Sequence, residues 1–210
     1  MQDTGYFVHP DYSPQPEQEL LFMLHGYGSN EVDLYMLKEY LPEKYYPVSL
    51  RAPLRTPYGG YAWYPIYVNS ENNLSVDEKE MKQAAFDLKK RMDAIAGKFN
   101  RKKPYNLLGF SQGSIISYVL LSFFPADFNK ITAFSGYIHK PAMNPDFTKA
   151  ETVNVYASHG LYDDLIPVEW AKKIPGYLKS KHIPFTFRLF PTGHYLSEEN
   201  IFDAVEMLRK

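Results

Sequence analysis

Six short apolar runs punctuate the chain, at residues 20–24, 47–50, 105–108, 131–134, 153–157 and 185–190. Each is apolar through most of its length rather than strictly alternating, as expected of a strand buried on both faces. Between them the period changes. Met81, Ala85, Leu88, Met92, Ile95 and Phe99 recur at spacings of four and three, which predicts one long helix with a single apolar stripe. Ser75 and Glu78, just before it, read as a capping box. Residues 112–124 carry Ile115, Ile116, Val119, Leu120 and Phe123 on one face, and Pro125 should stop that helix. Ser197 is placed to cap a last helix with Ile201, Val205 and Leu208 inward. Residues 167–180 begin as a helix that Pro175-Gly176 should break or kink. Strands alternating with helices predict an α/β protein, a mainly parallel central sheet flanked by helices on both faces.

No repeat, low-complexity tract or long linker divides the sequence, so residues 1–210 read as a single domain, and a 45% hydrophobic content suits a sizeable core. The longest stretch without a clear element is 52–75. It is rich in Pro, Gly, Tyr and Trp, too aromatic for disorder and long enough to serve a function.

Composition narrows the chemistry. The net charge of -1 with scattered Lys and Arg leaves no footprint for nucleic acid or an anionic membrane. With no cysteine, disulfides, thiolate metal sites and a Cys nucleophile are excluded. The first residues lack a basic segment followed by an apolar one, and no run of about 18 apolar residues occurs. The expectation is a cytoplasmic protein without membrane insertion. The oligomeric state is open between a monomer and a homodimer.

One pattern carries chemistry directly. Gly109-Phe110-Ser111-Gln112-Gly113 is the Gly-x-Ser-x-Gly of a nucleophile elbow, and it lies between a predicted strand and a predicted helix, the context that motif requires. A sharp strand-to-helix turn needs glycines on either side and exposes the serine hydroxyl at the helix N-terminus. Ser111 is therefore the candidate nucleophile of a serine hydrolase.

In such a fold the acid and the histidine follow the serine in that order. Of the six histidines, His194 lies in Pro191-Thr192-Gly193-His194, directly after the strand at 185–190, at the edge where ligands bind in α/β sheets. His182 precedes that strand and belongs to the opposite edge. Asp163 and Asp164 follow the strand at 153–157, and spacing alone does not choose between them. Asp146 and Glu151 come before it, on the wrong side. Gln112, next to the nucleophile, supplies one oxyanion N–H, and the loop His25-Gly26-Tyr27-Gly28 is placed to supply the second. Trp63, Tyr64 and Ile66 are candidate walls of a substrate pocket.

Taken together, Leu24-His25-Gly26-Tyr27-Gly28, Arg51-Ala52-Pro53, Gly109-Phe110-Ser111-Gln112-Gly113, His159-Gly160 with Asp163 and Pro167, and Gly193-His194 resemble the phospholipase/carboxylesterase family of α/β-hydrolases, which includes the acyl-protein thioesterases. The resemblance implies Asp163 as the acid and Tyr27 as the second oxyanion donor, completing Ser111, Asp163 and His194 as a triad. It implies hydrolysis of a small-molecule carboxylic ester through an acyl-enzyme, without cofactor or metal. Ser114 stands where the family usually has a second glycine. The aromatic Gly59-Gly60-Tyr61-Ala62-Trp63-Tyr64 is closer to the bacterial esterases of the family than to its thioesterases, which implies short to medium acyl chains. Lysophospholipase and acyl-protein thioesterase activities are the alternatives within the class. A non-catalytic binding protein on a hydrolase fold is the alternative outside it.

Overall fold

The computed structural model describes residues 5–8, 14–68, 70 and 74–210. Residues 1–4, on which part of the targeting reading rests, and residues 69 and 71–73 of the aromatic stretch lie outside the described residues. The strands are β1 (Tyr6–Phe7), β2 (Glu19–Leu24), β3 (Tyr45–Leu50), β4 (Leu54–Arg55), β5 (Tyr61–Ala62), β6 (Tyr67–Val68), β7 (Leu74–Ser75), β8 (Tyr105–Phe110), β9 (Phe128–Phe134), β10 (Asn154–Gly160) and β11 (Phe185–Phe190). The helices are α1 (Glu78–Lys98), α2 (Gln112–Phe123), α3 (Val168–Ala171), α4 (Ile174–Ser180) and α5 (Glu198–Arg209), with short 3-10 turns at Leu34–Tyr40, Pro125–Asp127 and Lys140–Ala142.

All six apolar runs belong to one sheet of order β1-β3-β2-β8-β9-β10-β11. Only β1 is antiparallel to its neighbour. Side chains along a strand alternate between faces, and both faces here are apolar. Leu20, Phe22 and Leu24 of β2 join the core under α1 and α2, while Leu21 and Met23 join the core under α5. Val155 and Ala157 divide from Tyr156 on β10 in the same way. The result is the α/β-hydrolase arrangement, a largely parallel sheet covered on both sides.

Three local expectations meet the structure differently. Ser197 caps α5 as expected, accepting from the Asn200 N–H. The capping box at Ser75 does not form, because Ser75 is tied into β7, where it pairs with Tyr67. Asp77 caps α1 instead, its carboxylate accepting from the N–H groups of Lys79 and Glu80. The 167–180 segment splits into α3 and α4 at Lys172 and Lys173, with Pro175 in the first turn of α4, where its missing N–H costs no helical bond. The 52–75 stretch holds two small ribbons, β4 with β5 and β6 with β7.

Because β2, β8, β9, β10 and β11 are mutually parallel, the loops after them gather at one edge. There the start of α2 packs against the end of β2. A Cβ built on Gly113 would lie 2.0 Å from the Leu24 carbonyl oxygen and 2.8 Å from that of His25. Backbone on both sides leaves no room to give. Gly113→Ala is expected to cost about 2 kcal/mol, a fall of about 6 °C in melting temperature for a chain of this size. An unchanged melting temperature would mean that helix and strand separate freely.

Candidate active site

Ser111 joins β8 to α2 with φ 53° and ψ -117°, a left-handed φ that side chains adopt at a cost of about 1–3 kcal/mol. Neighbours hold it there. Its N–H donates to the Phe134 carbonyl of β9 at 2.9 Å, and its carbonyl accepts from Ile115 N–H at 3.0 Å. The turn carries the hydroxyl up and over the sheet edge, beside the unpaired N–H groups that open α2.

The loops after β10 and β11 bring two further side chains to that hydroxyl. His194 Nε2 lies 2.9 Å from Ser111 Oγ, and His194 Nδ1 lies 2.7 Å from Asp163 Oδ2. A carboxylate only accepts, so Nδ1 carries the proton and Nε2 is free to receive one from the serine. The other carboxylate oxygen of Asp163 accepts from the N–H groups of Leu165 (3.0 Å) and Ile166 (2.8 Å), which fixes the turn. His159, fully buried on β10, lies beneath, its Nε2 3.2 Å from Asp163 Oδ2 and 2.8 Å from the Ile166 carbonyl. Burial holds the His159 pKa below its ordinary value, so it stays a neutral donor from Nε2. The ring of Phe110 packs on His194 at 5.0 Å between centroids. Asp164 is exposed, and His182 sits at the far end of β11.

The two loops expected to supply oxyanion donors both come close to Ser111. Gly26 approaches the elbow so closely that a Cβ on it would meet Ser111 Cβ at 3.2 Å, which brings the loop before Tyr27 alongside the nucleophile. Gln112 follows the serine, and its buried side chain has an unexpected engagement. Its Oε1 accepts from Trp63 N–H and its Nε2 donates to the Tyr64 carbonyl, both at 2.8 Å. The side-chain amide thus binds the aromatic stretch to the elbow.

A cavity of about 540 Å³ opens beside Ser111 and Gln112. Tyr64 and Ile66 line it, as does Tyr27. Trp63 does not, which corrects its placement on the pocket wall. Its indole N–H donates to the His25 carbonyl at 2.8 Å, and the ring faces a second cavity of about 380 Å³ between the 53–65 segment and α1. The opposite wall comes from residues the sequence did not single out. Tyr137 and Ile138 follow β9, and Trp170 of α3 packs edge-on against Tyr137 at 5.0 Å. The signal was available in principle, since Tyr137 follows the C-terminal end of a parallel strand, the position used to find Asp163 and His194. Glu78, His139 and Lys173 interrupt this apolar lining with polar groups.

Among the described residues no group of three or more His, Cys, Asp or Glu side chains is placed to hold a metal ion, and no helix is long and apolar enough to cross a membrane. The phospholipase/carboxylesterase family profile matches residues 11–210. Among solved structures, the Bacillus cereus carboxylesterase is similar at 17% identity and a TM-score of 0.85, over 97% of this chain and 92% of that one. A carboxylesterase from Mesorhizobium loti matches at 15% identity and a TM-score of 0.81, over 98% and 99% of the two chains. Acyl-protein thioesterase 2 of Zea mays matches at 19% identity and a TM-score of 0.73, over 97% of each. These likenesses show the fold, and the family match over nearly the whole length shows the class. The chain belongs to the phospholipase/carboxylesterase family and is an ester hydrolase.

Proposed function

We propose that the protein is a carboxylesterase for short to medium acyl chains, working through Ser111, His194 and Asp163 by way of an acyl-enzyme. The observation that carries the reading is the hydrogen-bonded chain from Ser111 Oγ through both nitrogens of His194 to Asp163, beside a cavity within the size range of small-molecule sites.

The steps follow from those contacts. His194 Nε2 takes the hydroxyl proton as Ser111 Oγ attacks the ester carbonyl, and Asp163 balances the imidazolium that results. The carbonyl oxygen gains charge and is received by the N–H groups of Tyr27 and Gln112. Collapse of the tetrahedral intermediate breaks the bond to the alcohol, which leaves with the proton from His194. Water, deprotonated by the same imidazole, then attacks the acyl-enzyme and releases the acid.

The chain-length reading rests on the cavity wall. Glu78, His139 and Lys173 set polar groups among its apolar residues, and a long alkyl chain laid against them would displace part of their water. Short acyl groups stop among Tyr64, Ile66 and Tyr137.

Two experiments test this. Ser111→Ala is expected to lower ester turnover by roughly a thousandfold or more, and the wild type to be labelled at Ser111 by a fluorophosphonate. A folded protein that refuses the label would be a binding protein on a hydrolase fold. Across p-nitrophenyl esters of graded length, kcat/KM is expected to peak at short to medium chains and to fall about tenfold or more for palmitate, a loss of about 1.4 kcal/mol. Faster turnover of a palmitoyl thioester or a lysophospholipid would transfer the protein to the alternative activities of its family.

A further inference from the structure

The loop that brings Tyr27 to the nucleophile is held by an arrangement the ester chemistry itself does not explain. His25 is fully buried and does not line the cavity. Its Nδ1 lies 2.7 Å from the carbonyl of Gly26, and its Nε2 accepts from the N–H of Ala52 at 3.1 Å. A carbonyl can only accept and an amide N–H can only donate, so the ring is in one state, neutral with its proton on Nδ1. Burial lowers the His25 pKa below its ordinary value, which keeps it in that state.

The Gly26 carbonyl and the Tyr27 N–H are the two ends of a single planar peptide and point in opposite directions. A group that fixes one end therefore aims the other. His25 holds the carbonyl end, assisted by Ser29 N–H at 3.2 Å. The preceding peptide is held likewise, because the His25 carbonyl accepts from the indole N–H of Trp63 at 2.8 Å. The following one is held by Gly28 N–H, which donates to the Tyr61 carbonyl at 2.9 Å. Three successive peptides are thus pinned, the outer two by the 61–63 segment and the middle one by His25, whose ring is itself anchored on Ala52 N–H. The Tyr27 N–H, between them, donates to nothing among the described residues.

Trp63 extends the frame to the other donor. Its main-chain N–H donates to Gln112 Oε1 while its indole holds the His25 carbonyl, so one residue spans the two loops that supply the proposed oxyanion donors. Its ring also packs on His25, at 5.3 Å between centroids.

We propose that His25 and Trp63 are positioning residues for the oxyanion hole, aiming the Tyr27 N–H through the peptide that His25 holds, without touching substrate. The inference rests on the triad and oxyanion reading above. It predicts loss in the transition state rather than in substrate binding, since the oxyanion forms only there.

Three variants separate aiming from mere support. His25→Asn places an amide N–H where Nδ1–H stands, keeping the bond to the Gly26 carbonyl and losing the bond from Ala52. His25→Gln does the reverse, reaching Ala52 and releasing Gly26. Trp63→Phe keeps the aromatic body and removes only the indole donor. The expected results are kcat within about threefold of wild type for H25N, but about tenfold or more below it for H25Q and W63F, with KM for a short ester unchanged within about twofold. The inhibition constant of a trifluoromethyl ketone, whose adduct carries the oxyanion, should rise in step with the loss of kcat/KM. Melting temperatures taken alongside give the structural cost.

The inference is overturned if H25N and H25Q lose kcat equally, if the losses follow melting temperature rather than the Gly26 bond, or if the ketone binds all variants alike. Should neither His25 variant fold, W63F alone decides by the same kcat and ketone readings. Ser111→Ala is run in parallel. Turnover surviving in that variant overturns the triad reading, whereas an inert Ser111→Ala beside normal H25Q and W63F overturns only the role given to the frame.

Discussion

The whole site depends on how closely the first turn of α2 approaches the end of β2. Gly113 rests on the carbonyls of Leu24 and His25 with no space for a methyl group, and Gly26 rests on Ser111 from the other side. That double contact makes one unit of the nucleophile and the loop after β2, although nearly ninety residues separate them in sequence. The strained φ of Ser111 persists because the sheet below and the helix beside it allow no other path. A serine in a relaxed turn would sit lower, out of line with His194.

From this contact the remaining geometry follows by topology. Parallel strands deliver their following loops to one edge, so the loops after β10 and β11 arrive beside the elbow already facing it. They are also tied to each other. Tyr162 N–H donates to the Thr192 carbonyl at 2.9 Å and Leu161 N–H to the Phe190 carbonyl at 2.8 Å. Asp163 and His194 are therefore spaced by backbone bonds before their side chains meet. The imidazole has little freedom left to lose, which is the preorganisation that the proposed proton transfer requires.

Much of this is legible in the amino-acid order because it is written in residue types with few substitutes. The change of period from apolar runs to stripes marks strands and helices. The glycines of 109–113 mark a turn that other residues cannot make, and position after a strand marks His194. Other features depend on the direction of one side chain, which spacing does not carry. Asp163 and Asp164 are neighbours on one turn. The N–H groups of Leu165 and Ile166, which hold one oxygen of Asp163, and His159 beside the other select the carboxylate that meets His194. Trp63 looks like a pocket wall by its size, but an indole N–H buried in the core needs an acceptor, and the His25 carbonyl draws it away from the cavity. Asp77 takes the cap of α1 because pairing in a two-residue ribbon had already claimed Ser75. Tyr137 and Trp170 belong to no motif, and only the fold brings them to the site.

The side-chain amide of Gln112 makes the two walls of the cavity unequal. Its bonds to Trp63 and Tyr64 weld the aromatic stretch to the elbow, so on the proposed mechanism a residue changed on that wall alters the rate as well as the fit. Among the described residues, the wall of Tyr137, Ile138 and Trp170 makes no hydrogen bond to Gln112 or to the Tyr27 loop. On the proposed mechanism, substrate preference can change on one side of the cavity without disturbing the elbow, while the other side is bonded to it through Gln112.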